Sequence, residues 1–142
     1  MDPENAVVAL CAEGMATGDD ALFLRAWEVA ADDWERCVAA HYVALSRPEA
    51  AQRLRWNRRC LELADAVGDA RVAGFYPSLH AALGRAWEDL GEVAAAREEF
   101  ERAAGHAGVL GEDAYGASLR EAIAEGLRRT GGVGPRGWAG VR

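Results

Sequence analysis

An all-α fold follows from three features of this sequence. Alanine, the strongest helix former and small enough to let helices pack closely, supplies 31 of the 142 residues. Isoleucine and threonine are scarce, which lowers strand propensity. Helix start and stop signals recur along the chain at intervals of about one helix. With 51% apolar residues, a chain of this length supports one domain with a real core.

The punctuation predicts seven helices. Asp2-Pro3 reads as an N-cap followed by proline in the first turn, and opens a helix with the apolar stripe Val7, Leu10, Cys11 and Met15. Gly18 ends it. Asp19-Asp20 caps a second helix carrying Leu24, Trp27 and Ala31. Asp32-x-x-Glu35 reads as a capping box for a third, with a continuous helix through Asp32-Asp33 as the alternative. This helix carries Trp34, Cys37, Val38, His41 and Leu45. Ser46-x-x-Glu49, with Pro48 in the first turn, starts a fourth, with Trp56, Cys60, Leu63 and Val67 at helical spacing up to Gly68-Asp69. A fifth is expected over 70–90, with a kink or late start at Pro77. The sixth covers 93–106. Glu112-Asp113 caps a seventh carrying Tyr115, Leu119, Ile123 and Leu127. The domain is expected to cover 1–130. From Thr130 onward the glycine content predicts a flexible tail, over 131–142.

Residues 80–103 carry the most specific pattern: His80-x2-Leu83-Gly84-x2-Trp87, then Gly91, then Ala96-x3-Phe100-x2-Ala103. Leu83 and Trp87 are large side chains on one helix. Ala96, Phe100 and Ala103 form a small-large-small face on the next. Gly84 permits close approach, and Gly91 supplies the turn. This stretch resembles the tetratricopeptide repeat signature, with His80 in place of the leading Trp and Trp87 in place of the Tyr. Trp34-x2-Cys37-Val38-x2-His41 has the same first-helix spacing, and Val7-x2-Leu10-Cys11 and Trp27-x2-Ala30 echo it faintly. The candidate starts lie 27 residues apart from Val7 to Trp34 and 46 from Trp34 to His80, against a family period of about 34. The resemblance implies three stacked helical hairpins with a C-terminal capping helix, a right-handed solenoid whose first helices line a concave groove. A compact orthogonal bundle is the rival architecture.

Composition narrows the chemistry. A net charge of −7 disfavours nucleic acid as a partner. All sixteen basic residues are arginine, so Schiff-base, P-loop and kinase-type lysine chemistry are excluded. The Arg and Ala bias fits a GC-rich, bacterial-type genome. Cys11, Cys37 and Cys60 stand far apart without a CxxC, which suits buried thiols in a reducing compartment. No export signal or membrane-spanning run is visible, so a cytoplasmic protein away from membranes is expected. No cofactor or metal is expected: His41 and His80 with Asp32 and Glu35 could form an acid–base or metal site, but no compact motif supports one. Ser46, Ser78 and Ser118 sit in no nucleophile elbow.

Trp27, Trp34, Trp56 and Trp87 fall on apolar faces and read as core. Arg53, Arg55, Arg58 and Arg59 read as a solvated face ion-paired to Glu49 and Glu62, or as a dock for an acidic peptide or phosphate. The resemblance places Tyr42, Ser78, Arg85 and Glu88, with His41 beside them, on the ligand-facing groove. The leading expectation is a non-catalytic module that binds a protein or peptide. The alternatives are a small enzyme or enzyme accessory subunit with a pocket around His41 and Tyr42, and self-association through an exposed end of the stack.

Overall fold

The computed structural model describes residues 2–131, of which 82% are helical; no strand occurs among them. The expected tail over 131–142 lies, apart from Gly131, outside the described residues. Eight α-helices form among the described residues: α1 (Ala6–Thr17), α2 (Ala21–Val29), α3 (Asp33–Ser46), α4 (Ala50–Val67), α5 (Ala70–Ala73), α6 (Tyr76–Asp89), α7 (Val93–His106) and α8 (Ala114–Gly131). A short 3-10 turn at Ala107–Val109 follows α7. None of these helices is long and apolar enough to cross a membrane. The chain divides into two compact units, Met1–Val72 and Ala73–Arg142.

The first unit is built from two hairpins, α1/α2 and α3/α4. Both have three-residue connections, at 18–20 and 47–49, which bring consecutive helices back alongside one another. α3 also packs against α1 and α2. The first helix starts later than its sequence suggests. Asp2 accepts the Glu4 N–H in a local turn, while Asn5 is the N-cap and accepts from the N–H groups of Val7 and Val8 at 2.9 and 3.1 Å. Asn5 can also donate its amide N–H to Glu35, at 2.9 Å, and so ties the start of α1 to the start of α3. Asp32 caps α3 by accepting from Glu35 N–H at 2.8 Å; Glu35 in return accepts from Ala31 N–H rather than from Asp32. Ser46 does not open α4. It is the last residue of α3 and donates to Val43 O, and Arg53 reaches back to the carbonyls of Arg47 and Pro48. Gly18 and Gly68 end α1 and α4 in the left-handed region, where a side chain would be strained.

The core of this unit holds Val7, Cys11, Phe23, Ala26, Cys37, Val38, Val43, Cys60 and Leu63. Four residues of the expected apolar stripes lie elsewhere. Met15 and Leu45 are 59% and 55% exposed, and Leu24 and Ala31, the latter beyond the end of α2, are exposed too. On α2 the buried aromatic is Phe23, which lies over Gly14, where a Cβ would come within 2.5 Å of its ring.

The second unit holds the third hairpin, α6/α7, again on a three-residue connection at 90–92, with Gly91 at φ 81°. Pro77 lies in the first turn of α6, so the expected fifth helix divides into α5 and a late-starting α6. α8 packs on both helices of the hairpin and closes its open side. Leu79, Leu83, Ala86, Ala96, Phe100, Ala103 and Ile123 form the core, so the small-large-small face of α7 is buried as expected. Gly84 does not meet a backbone. It meets the ring of Phe100, and Gly126 of α8 meets the same ring from another side. Thr130 and Gly131 belong to α8, not to the tail; Thr130 is buried and donates to Gly126 O at 2.7 Å.

Candidate functional site

The most chemically distinctive surface feature is a cleft of about 350 Å³ in the first unit, lined by Trp27, Arg55, Trp56 and Arg59. Helix geometry explains each position. α2 buries Phe23 and Ala26, which leaves Trp27, the next residue, half-buried at the edge of that face. α4 buries Leu54, Asn57, Cys60, Leu63 and Ala64. Trp56 and Arg59 lie beside that stripe, three residues apart, so their side chains fall on neighbouring turns. The two indoles meet edge to face, with centroids 5.1 Å apart and planes at 89°. That arrangement is worth about 0.5–1.5 kcal/mol beyond the area buried.

The electrostatics of the cleft run against the net charge of the chain. No carboxylate lines it. Arg59 touches Glu62 at 3.5 Å, an exposed pair of small value. Arg55 has no carboxylate partner among the described residues. Two guanidiniums thus border a floor of two half-buried indoles. Such a surface binds an anionic group and covers an apolar one beside it.

A second cleft, of about 300 Å³, is lined by Gly14, Met15, Gly18, Asp20, Phe23, Leu45 and Ser46. The exposed Met15 and Leu45 form part of its wall, which accounts for their absence from the core.

His41 and Tyr42 come together, with ring centroids 5.2 Å apart, and Tyr42 stacks on Phe23 at 5.7 Å. Burial pushes the His41 imidazole below its ordinary pKa. Neither residue lines either cleft. In the second unit, Ser78 donates to Phe75 O at 3.0 Å, a local bond at the start of α6. Arg85 is exposed and pairs loosely with Asp89 at 3.4 Å. Glu88 accepts two hydrogen bonds from Arg129, at 2.7 and 2.9 Å, and so links α6 to α8. Of these three, Arg85 is the one left open to solvent.

His80 is buried, and its Nδ1 donates to Glu99 at 2.8 Å. Its ring lies nearly parallel to His106, at 5.4 Å, and Tyr76 stacks on both. Among the described residues no cluster of three or more His, Cys, Asp or Glu is placed to hold a metal ion.

Trp27 and Trp56 read as core in the sequence, and Arg55 and Arg59 as a separate basic face. Their convergence is missed because it depends on how α2 lies against α4. The spacing Arg55, Trp56, Arg59 is the one local signal, since it puts two guanidiniums one turn apart on a helix face with an indole beside them. Comparison with protein-family models, curated proteins and solved structures finds no match to this chain.

Proposed function

We propose that this protein is a non-catalytic interaction module, built of tetratricopeptide-like hairpins, that captures an acidic peptide segment of a partner protein. The Trp27–Arg55–Trp56–Arg59 cleft carries this reading: guanidiniums select carboxylates, and a two-indole floor takes an apolar side chain next to them. The repeat-like reading draws support from three hairpins with connections of equal length and from the buried Ala96, Phe100 and Ala103. The free, buried thiols suit a reducing, cytoplasmic setting. The repeat resemblance implies groove residues within each unit by itself, Tyr42 and His41 in the first and Ser78, Arg85 and Glu88 in the second. Arg85, exposed and weakly paired, is the member best placed to meet a ligand.

The test is titration of the protein with an acidic peptide containing one aromatic or aliphatic residue, followed by calorimetry and by tryptophan emission. Trp56→Ala and Arg55→Glu should each weaken binding about tenfold or more, equivalent to about 1.4 kcal/mol. A peptide with its acidic residues replaced by arginine should not bind. If both variants bind as the wild type does, the cleft is not the site. If Arg85→Ala weakens binding instead, the groove of the second unit replaces it.

A further inference from the structure

We propose that Cys37 and Cys60 form a dithiol that oxidises reversibly to an intramolecular disulfide, fastening α3 to α4. The sequence keeps these residues apart, 23 positions distant, but the hairpin sets them face to face. Their Sγ atoms are 3.6 Å apart, and both residues are 0% exposed. Each thiol is also directed at the other residue's carbonyl: Cys60 Sγ donates to Cys37 O at 3.2 Å, and Cys37 Sγ lies 3.6 Å from Cys60 O. Reciprocal contact of this kind means that the two residues are opposed in register, not merely neighbours. Forming a bond of about 2 Å requires the sulfurs to approach by about 1.5 Å, within reach of side-chain rotation and a small helix adjustment. The residues on the same helix faces favour close approach, since Ala40 and Ala44 beside Cys37 on α3 and Ala64 beside Cys60 on α4 are small and buried.

The two thiols interact directly in one buried site, so removing a proton from one makes it harder to remove the other. Either sulfur can attack first, and exchanging the two gives the same disulfide. With hydrogen peroxide as oxidant, the Cys37 thiolate attacks one peroxide oxygen, the O–O bond breaks, and Cys37 becomes a sulfenic acid as the leaving hydroxide takes up a proton to form water. Cys60 sulfur then attacks the sulfenic sulfur, the S–O bond breaks, and the released hydroxide takes the Cys60 proton and leaves as a second water. Two thiols lose two electrons and one peroxide gains them. A dithiol reductant reverses the change by exchange. Peroxide is small enough to enter during local opening of the hairpin, whereas bulky thiol reagents are excluded from the closed form. Cys11 is an internal control, because it is buried and burial pushes its thiol up to about 11.

The test treats the folded full-length protein with hydrogen peroxide, blocks the remaining thiols under denaturing conditions, and maps tryptic peptides by mass spectrometry without reduction. The expected result is a single linked pair of peptides carrying Cys37 and Cys60, the loss of two hydrogens from the intact mass, and one thiol left to block, at Cys11. Oxidation should raise the melting temperature by roughly 5 °C or more, because the bond closes a loop across the hairpin, and dithiothreitol should abolish the rise. Cys37→Ala and Cys60→Ala should each lose the effect, and Cys11→Ala should keep it. If a variant fails to fold, the wild-type peptide map alone decides. Linkage through Cys11, sulfinic acid on either cysteine without linkage, or three intact thiols after oxidation would overturn the proposal.

Discussion

The ring of Phe100 lies between two glycines, Gly84 of α6 and Gly126 of α8. Glycine is the only residue that brings the helix axis so close to a phenyl face, so the ring and both glycines act together. Phe100→Ala should destabilise the protein by about 3–5 kcal/mol, because the surrounding helices cannot collapse onto the cavity. Gly126→Ala sets two effects against each other. Alanine gains about 1 kcal/mol of helix propensity, but its Cβ would lie 2.4 Å from the ring, and overpacking costs about 1–3 kcal/mol. The clash should win, and Gly126→Ala should lower the denaturant midpoint. At Gly84 the nearest ring atoms are 3.0 Å away, so Gly84→Ala should cost less. In a Phe100→Leu background, Gly126→Ala should become neutral or stabilising. A Gly126→Ala protein as stable as wild type would contradict this packing. His41 gives a pH-dependent prediction. Its folded pKa lies below its unfolded value, so between the two the unfolded chain binds more protons. Its contribution to stability is present above about pH 6.5 and falls as the pH drops through the window below. His41→Gln should therefore show a smaller loss of melting temperature than wild type between pH 7.5 and 5.

At the scale of the element, helix ends decide where each segment starts and how it is joined to the next. Asn5 caps α1 and also holds Glu35 at the start of α3. Asn5→Ala should cost about 1–2 kcal/mol by thermal melt, at the upper end for a cap because it removes both contacts. Asn5→Asp should keep the cap, but it places a carboxylate against Glu35 and should recover only part of the loss. The ends at Gly18, Gly68 and Gly91, and the start of α3 at Asp32, were legible in the sequence because capping is local chemistry. The start of α1 was misplaced by three residues or so because Asp2, Pro3 and Asn5 all carry valid start signals. Only the bond from Asn5 to Glu35, thirty positions away, favours the later one. Ser46 misled in a similar way: its hydroxyl bonds back to Val43 O and closes α3 instead of opening α4.

For the whole molecule, charge sets a kinetic expectation. The chain carries −7, yet the proposed cleft presents two arginines and no carboxylate. Long-range repulsion should slow the approach of an acidic peptide, while short-range ion pairs should slow its departure. The Debye length is about 10 Å at 0.1 M salt, so added salt screens the first more effectively than the second. In stopped-flow experiments read by tryptophan emission, the association rate should rise or stay level as salt increases from 20 to about 150 mM, and the dissociation rate should rise. A steep fall in the association rate would indicate steering by a basic surface other than this cleft. Binding that is indifferent to salt in both rates would remove the guanidiniums from the argument.

The sequence by itself determined the all-α class, the hairpin turns and the buried face of α7, because each depends on propensity, capping or spacing within a few residues. Ala96, Phe100 and Ala103 were legible as one inward face for the same reason. The tertiary structure alone decided which residues meet across helices. It placed Gly126 against Phe100, joined Trp27 to an arginine-flanked Trp56, moved Met15 and Leu45 to a surface cleft, and set Cys37 opposite Cys60. A helix stripe shows which side chains face inward, but which of them touch depends on the register between helices. That register is fixed by the total packing of many small contacts, none of which leaves a mark in the local pattern.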